Sequence, residues 1–137
     1  MRFPVVIHKD SGSDYGVTVP DLPGCFSAGA TLDEALCEVV EAIELHLDVM
    51  LQDNEPLPAP QPLEVHQHHP DYAGGVWALV TVDLSKISGK AKRVNITLPE
   101  RILTIVDQYA VQHGETRSGL IAQATMAYIA SQHTALN

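Results

Sequence analysis

The sequence predicts an α+β protein in two parts, a β-β-β-α-β unit at residues 1–88 and a β-α-α unit at residues 89–137. Three observations lead to this prediction. Short runs rich in Val, Ile and aromatic residues stand on both sides of an amphipathic helix pattern. The polar, Gly-containing stretch SKISGKAK separates them from a strand pattern followed by two helix patterns. The net charge changes sign at the same stretch.

The charge division suggests two surfaces with different partners. Up to Ser88 the chain has three basic and fourteen acidic residues, and from Gly89 onward it has five basic and three acidic residues. The parts thus carry −11 and +2, in agreement with −9 for all 137 residues. An acidic body attracts a basic partner, and a basic tail can approach a polyanion. The opening stretch MRFPVVIHKD has too short an apolar run for a signal peptide or a membrane span, so we expect a cytoplasmic protein without a membrane partner.

Four strand patterns are expected in the first part. FPVVIHK (residues 3–9) and YGVTV (15–19) flank the turn-forming DSGSD, which predicts a β-hairpin. The Pro and Gly residues of PDLPG turn the chain into a third strand, CFSAGA. The run VWALVTVDL (76–84) predicts a strand inside the sheet that is covered on at least one face.

One amphipathic helix is predicted between the third and fourth strands, from Thr31 to about Leu51. Thr31 and Glu34 have the spacing of a capping box, in which each side chain satisfies a backbone N–H of the other residue. Its predicted apolar face consists of Leu32, Leu36, Val39, Ile43, Leu47 and Met50. Its opposite face is an acidic stripe of Glu34, Glu38, Glu41, Glu44 and Asp48. The prolines of DNEPLPAPQP (53–62) then predict an extended connector.

The second part begins with a strand pattern and continues with two helix patterns. Val94, Ile96 and Leu98 alternate with Arg93, Asn95 and Thr97, so a strand would place the two sets on opposite faces. Pro99 and Glu100 suit the first turn of a helix that ends at Gly114. Thr116 or Ser118 can cap the helix that follows.

Such a β-α-α unit is physically incomplete. A lone strand has no partner for its backbone groups, and two helices cannot cover their own apolar faces. Two chains pairing their strands antiparallel would form a ribbon with Val94, Ile96 and Leu98 as the dimer core. The polar row on the other face has side chains that can read bases, and a β-ribbon fits the major groove of DNA. On its alternation alone, the row is equally compatible with an exposed strand face that binds nothing.

Two pairs of stretches carry a family resemblance. RVNITLPERIL followed by GETRSGLI resembles the ribbon-helix-helix repressors, and PDLPGCFSAGATLDEA with GGVWALVTVDLS resembles the N-terminal domain of HicB antitoxins. This implies a non-enzymatic component of a type II toxin-antitoxin system. Its N-terminal domain, a reduced RNase H-like fold, would bind and block a small basic mRNA-cleaving HicA toxin. Its ribbon-helix-helix domain would bind double-stranded operator DNA and repress the operon.

The resemblance also implies roles for individual residues. The base-reading positions would be Arg93, Asn95 and Thr97. The start of the second helix, at Thr116, Arg117 and Ser118, would hold a phosphate through backbone N–H groups and the helix dipole. We expect a homodimer or a dimer of dimers. We predict toxin contacts at Glu34, Glu38 and Glu41, although an acidic helix face is commonly only solvated.

The sequence is also compatible with two other functions, a nuclease and a ligand-sensing regulator. Asp10, Asp14 and Asp21 could form a nuclease site of clustered carboxylates, but all three lie in or beside predicted turns, so we predict no catalytic residue. A stand-alone regulator with a ligand-sensing N-terminal domain is the competing function.

No metal or other cofactor is expected. The cluster of His66, His68 and His69 lacks neighbours that would complete a tetrahedral site and is predicted to be solvent-exposed. Cys25 and Cys37 are read as small hydrophobic thiols.

Overall fold

The computed structural model describes residues 1–89 and 91–136. Its sheet has four strands in the order β3-β2-β1-β4, and every neighbouring pair is antiparallel. The strands are β1 (Arg2–Lys9), β2 (Tyr15–Thr18), β3 (Phe26–Gly29) and β4 (Val76–Thr81). The predicted hairpin and third strand are therefore confirmed, since β2 pairs with both β1 and β3.

The prediction for the fourth strand was wrong in two respects. β4 pairs only with β1 and is an edge strand, not an interior one. It ends at Thr81, and Leu84–Gly89 forms a 3₁₀ helix. Ile87 of that helix is buried in the core, so the predicted linker begins with a packed segment. A continuous apolar run does not distinguish a strand flanked by two neighbours from one at the edge, which explains the error.

The capping of helix α1 (Leu32–Gln52) agrees with the prediction except for one partner. Thr31 Oγ1 accepts a hydrogen bond from the Glu34 N–H at 3.1 Å. Glu34 Oε2 accepts from the N–H of Ala30 at 3.2 Å and not from that of Thr31. Two backbone donors at the helix start are thus satisfied.

The buried face of α1 begins one turn later than predicted. Ala35, Val39, Ile43 and Leu47 are fully buried against the sheet, and Leu36 and Met50 are partly buried. Leu32, in the first turn, remains 42% exposed. The apolar periodicity identified the correct side of α1, but it could not show at which residue of the helix the contact with the sheet begins.

The connector after α1 leads back to β4 by an irregular path. Residues 55–62 contain neither helix nor strand, as the prolines predict. A short helix α2 (Leu63–His66) and a 3₁₀ turn (Pro70–Tyr72) follow, and neither was predicted.

The last part consists of helices α3 (Glu100–Gln112) and α4 (Arg117–Leu136). Gly114 between them has a φ of +65°, as expected of a glycine that ends a helix. Residues 91–99 have no regular structure, so the single chain does not form the predicted strand. A strand needs a hydrogen-bonding partner, and the described residues of this single chain offer none to that segment. No helix in the described ranges is long and apolar enough to span a membrane.

The hydrophobic core lies entirely within the first part of the chain. Every residue of the buried apolar cluster falls between Met1 and Ile87. Of residues 91–132, only Ala110 and Gly119 are buried. We therefore distinguish an N-terminal body (residues 1–89), which has its own core, from a C-terminal unit (residues 91–136), which does not.

Candidate functional site

The predicted base-reading row lies at the surface. Arg93, Asn95 and Thr97 are exposed, but so are Val94 at 70% and Ile96 at 60%, and only Leu98 is half-buried. The single chain therefore does not separate a polar face from an apolar one. The ribbon and its core of Val94, Ile96 and Leu98 stay predictions.

The start of α4 is capped by Thr116. Its Oγ1 accepts a hydrogen bond from the Gly119 N–H at 2.9 Å. Arg117 and Ser118 are exposed. Among the described residues, the backbone hydrogen bonds at this helix start come from Gly119 and Leu120 and not from Arg117 or Ser118. The first turn of α4 thus keeps free donors of the kind that bind phosphate.

A carboxylate of the N-terminal body already contacts this first turn. The Thr116 hydroxyl donates to Asp83 Oδ2 at 2.9 Å, and Asp83 Oδ1 accepts from the Ser85 N–H at 2.9 Å and hydroxyl at 2.6 Å. Partial burial alone would raise the pKa of Asp83. The hydrogen bonds from Ser85 and Thr116, with the charge of Lys86, outweigh burial and lower this pKa below its ordinary value of 3.8. Asp83 is therefore an anion at neutral pH.

The guanidinium of Arg117 is bound within the C-terminal unit. Its Nε and Nη2 donate to the two carboxylate oxygens of Asp107 on α3, at 2.8 and 2.7 Å. This hydrogen bonding lowers the pKa of Asp107 and raises that of Arg117. A phosphate contact by the Arg117 side chain would have to compete with Asp107.

The acidic stripe of α1 faces solvent for most of its length. Glu38 and Glu41 are exposed, and Glu34 is exposed while it also caps the helix. Nothing in the single chain distinguishes a docking face from a solvated one here, so the assignment of Glu34, Glu38 and Glu41 to toxin binding stays a prediction.

Beside α1, the outer edge of β4 is open. The backbone groups of Val82 bond with those of Met1. Because backbone groups alternate sides along an antiparallel strand, those of Trp77, Leu79 and Thr81 point away from β1. Val76 and Leu79 are 66% and 54% exposed, and the strand VWALVT has no charged residue. β4 thus lacks the charges and prolines that usually protect a sheet edge from pairing.

A groove of about 510 Å³ lies between this edge and α1. Its lining combines apolar residues with two carboxylates and consists of Leu36, Cys37, Val40, Glu41, Glu44, Val80 and Thr81. Cys37 is exposed here, whereas Cys25 is buried and burial raises the pKa of its thiol. Both cysteines are free, and only Cys25 is buried as a small hydrophobic residue would be.

Asp21 forms hydrogen bonds to the connector that no sequence pattern predicted. Both oxygens of Asp21 accept from the Gln61 N–H at 3.3 Å, and Oδ1 contacts His66 Nε2 at 2.9 Å. The prediction that His66 is solvent-exposed was therefore wrong, since its side chain is only 17% exposed, and the turn predicted at Asp21 did not include this contact. About forty residues separate these partners, and no local motif reports such a contact.

The remaining histidines and aspartates do not converge on a metal site. His68 and His69 are exposed, and His69 Nδ1 accepts from the Asp71 N–H at 3.2 Å. Asp10 and Asp14 flank the turn between β1 and β2. In residues 1–89 and 91–136, no group of three His, Cys, Asp or Glu side chains could hold a metal ion.

Comparison with known proteins identifies the family. The family model described as the HicB_like antitoxin of bacterial toxin-antitoxin systems matches residues 3–125. The chain belongs to this antitoxin family. An uncharacterized 14.9 kDa protein in the rep-hol intergenic region of Haemophilus phage HP1 is 42% identical over 125 residues, which cover 90% of this chain and 93% of the phage protein.

Two solved structures of HicB proteins are similar to this chain. The Burkholderia pseudomallei antitoxin HicB has a TM-score of 0.73 and 43% identity, over 92% of this chain and 96% of that chain. A chain of a HicA3–HicB3 toxin-antitoxin complex has a TM-score of 0.52 and 28% identity, over 61% of this chain and 99% of that chain. The α+β fold with its four-stranded antiparallel sheet is therefore that of HicB antitoxins.

Proposed function

We propose that this chain binds and blocks a HicA-type mRNA-cleaving toxin and represses its own operon by binding operator DNA in the major groove. The antitoxin half is supported by family membership and by the similar chain found in a HicA3–HicB3 complex. The observation that carries it is the open, uncharged β4 edge beside a groove with two carboxylates.

The toxin contact proposed here is strand addition at β4. The edge backbone groups of Trp77, Leu79 and Thr81 would pair with an extended segment of the toxin, and the groove would receive its side chains. Glu41 and Glu44 in the groove favour a basic partner, and the body's net charge of −11 steers such a partner toward it. A second copy of this chain fits less well, because both copies would be strongly acidic.

Proline at position 79 tests this contact. Leu79→Pro removes an edge N–H without touching the β1–β4 hydrogen bonds, and proline is tolerated at such edge positions. Leu79→Ala is the matched control, since it removes the same side chain and keeps the N–H. We expect the proline variant to bind toxin at least ~10-fold more weakly than the alanine variant, which corresponds to ~1.4 kcal/mol, in a calorimetric titration. Equal toxin affinities of two variants with wild-type circular dichroism would rule out pairing at this edge.

The DNA-binding half is supported by the incompleteness of the C-terminal unit. It has no core of its own, and Val94 and Ile96 are exposed in the single chain. Antiparallel pairing of residues 93–98 from two chains would bury these side chains and direct Arg93, Asn95 and Thr97 into the major groove. The free N–H groups of Arg117 and Ser118 would then hold a flanking phosphate.

Alanine at position 93 tests the base contact. Arg93→Ala should weaken operator binding by about 1–3 kcal/mol if Arg93 pairs with a guanine. Arg101→Ala removes the same charge from an exposed position on α3 outside the reading row and serves as the control. Gel-shift titrations with operator and unrelated DNA should show a loss of preference only for Arg93→Ala. Equal preference in both variants would refute the base contact.

A further inference from the structure

The predicted phosphate position at the start of α4 has an anionic group beside it. Asp83, between β4 and the 3₁₀ helix, accepts a 2.9 Å hydrogen bond from the hydroxyl of Thr116, which caps α4. Thr116 in turn accepts from the Gly119 N–H at 2.9 Å. The Asp83 carboxylate is thus linked through the Thr116 side chain to the first turn of α4.

The contact between Asp83 and α4 is close. A Cβ atom built on Gly119 would lie 2.7 Å from Asp83 Oδ1, so the carboxylate packs where any other residue would place its side chain. Gly119 is also one of the two buried residues among residues 91–132. The positive end of the helix dipole favours a carboxylate there for the same reason that it favours a phosphate.

A second polar contact joins the two parts at the same turn. The amino nitrogen of Met1 forms an ion pair with the carboxylate of Glu115, the residue before Thr116, and both groups are about 95% buried. The C-terminal unit is therefore docked on the body with the start of α4 facing Asp83. A DNA phosphate approaching Arg117 and Ser118 would meet a negative charge.

We infer that Asp83 is an internal competitor of DNA phosphate at the start of α4, so that the docked chain has a reduced affinity for DNA. This inference rests on the proposed DNA binding. Operator binding would then require Asp83 to leave Thr116, and any partner that loosens the contact of the body with α4 would strengthen repression. The contact between Asp83 of the toxin-binding body and Thr116 of the DNA-binding unit would thus regulate DNA affinity.

Removing the Asp83 carboxylate tests the inference. The probe is the duplex upstream of the chain's own gene, titrated by fluorescence anisotropy at several salt concentrations. Asp83→Ala in the full chain should bind this DNA about three- to tenfold more tightly than wild type, because it removes the negative charge beside the N–H groups that would hold the phosphate. The slope of log affinity against log salt should steepen by about one for each additional phosphate contact.

Asp71→Ala is the matched control. It removes the same charge from an 80% exposed side chain in the 3₁₀ turn Pro70–Tyr72, away from α4, and should leave both affinity and salt slope unchanged. Asp83→Asn keeps the side-chain shape and an acceptor for Ser85, and it provides a folded variant if alanine destabilises the 3₁₀ helix. It should change the affinity in the same direction as alanine.

The DNA titrations distinguish a failure of this inference from a failure of the proposed DNA binding. If wild type binds the duplex and the folded Asp83 variants bind no more tightly than Asp71→Ala, Asp83 is not a competitor and the inference is wrong. If wild type and every variant fail to bind the duplex and shorter pieces of it, the proposed DNA binding itself is wrong.

Discussion

At the scale of single residues, Gly29 shows how tightly β3 and α1 meet. A Cβ on Gly29 would lie 2.6 Å from the backbone nitrogen of Ala35 and 2.9 Å from its Cα atom. Both atoms belong to the helix backbone and cannot rotate away, so the helix would have to shift. Gly16 in the neighbouring strand β2 offers the opposite case, since only the His8 carbonyl oxygen approaches its Cβ position, at 3.9 Å.

Alanine at these two positions should therefore have different effects. Gly29→Ala is expected to lower the free energy of unfolding by about 1–3 kcal/mol through overpacking. Gly16→Ala should be neutral or slightly stabilising, by at most ~1 kcal/mol, because alanine loses less backbone freedom on folding. Denaturant titration of both variants measures the difference. Equal unfolding free energies would mean that α1 is not held against β3 as described.

Residues such as Asp21 and Asp83 mark the limit of what the sequence could predict. Asp21 lies beside a Pro-Gly turn, and Asp83 follows an apolar strand. Aspartate is common at such turns and strand ends, so the local sequence gives no reason to expect a distant partner for either residue. Their observed partners, His66 and Thr116, are 45 and 33 residues away. The capping residues Thr31 and Thr116 were predictable because their partners are three residues along the chain.

At the scale of elements, local patterns predicted helices better than they predicted the neighbours of strands. The periodicity of α1, α3 and α4 is a property of each helix alone, and all three are present close to the expected bounds. The position of β4 in the sheet depends on which strands lie beside it, and the apolar run 76–84 carries no such information. The open edge of β4, where we propose that the toxin binds, was therefore not predicted.

The stretch from Arg93 to Leu98 shows a second limit. Its alternating pattern is that of a strand, yet it forms none in the single chain. Pairing is a property of two strands, and the pattern describes only one of them. The pattern therefore predicts what the segment can become with a second copy, which the oligomeric state in solution would reveal.

At the scale of the whole molecule, the two parts differ in how they are stabilised. The body contains the complete apolar cluster from Met1 to Ile87, together with the β4 edge and the groove. The C-terminal unit contributes no residue to that cluster and exposes Val94, Ile96 and much of α3 and α4. The net charges of −11 and +2 follow the same division. This division agrees with the proposed function, in which the body folds alone and binds a basic toxin while the C-terminal unit pairs with a second copy and binds DNA.

A fragment of residues 1–89 should therefore separate the two activities. It keeps the 3₁₀ helix Leu84–Gly89 and the complete apolar cluster. It loses the polar contacts of Glu115 and Thr116 with the body and the packing of α4 on the 3₁₀ helix. We expect it to be a folded monomer that binds toxin within about threefold of the full chain, a difference below ~0.7 kcal/mol, and that does not shift operator DNA. The full chain should be a dimer or a dimer of dimers by light scattering. A folded fragment that no longer binds toxin would show that the C-terminal unit, or the pairing that it brings about, contributes to the toxin interface.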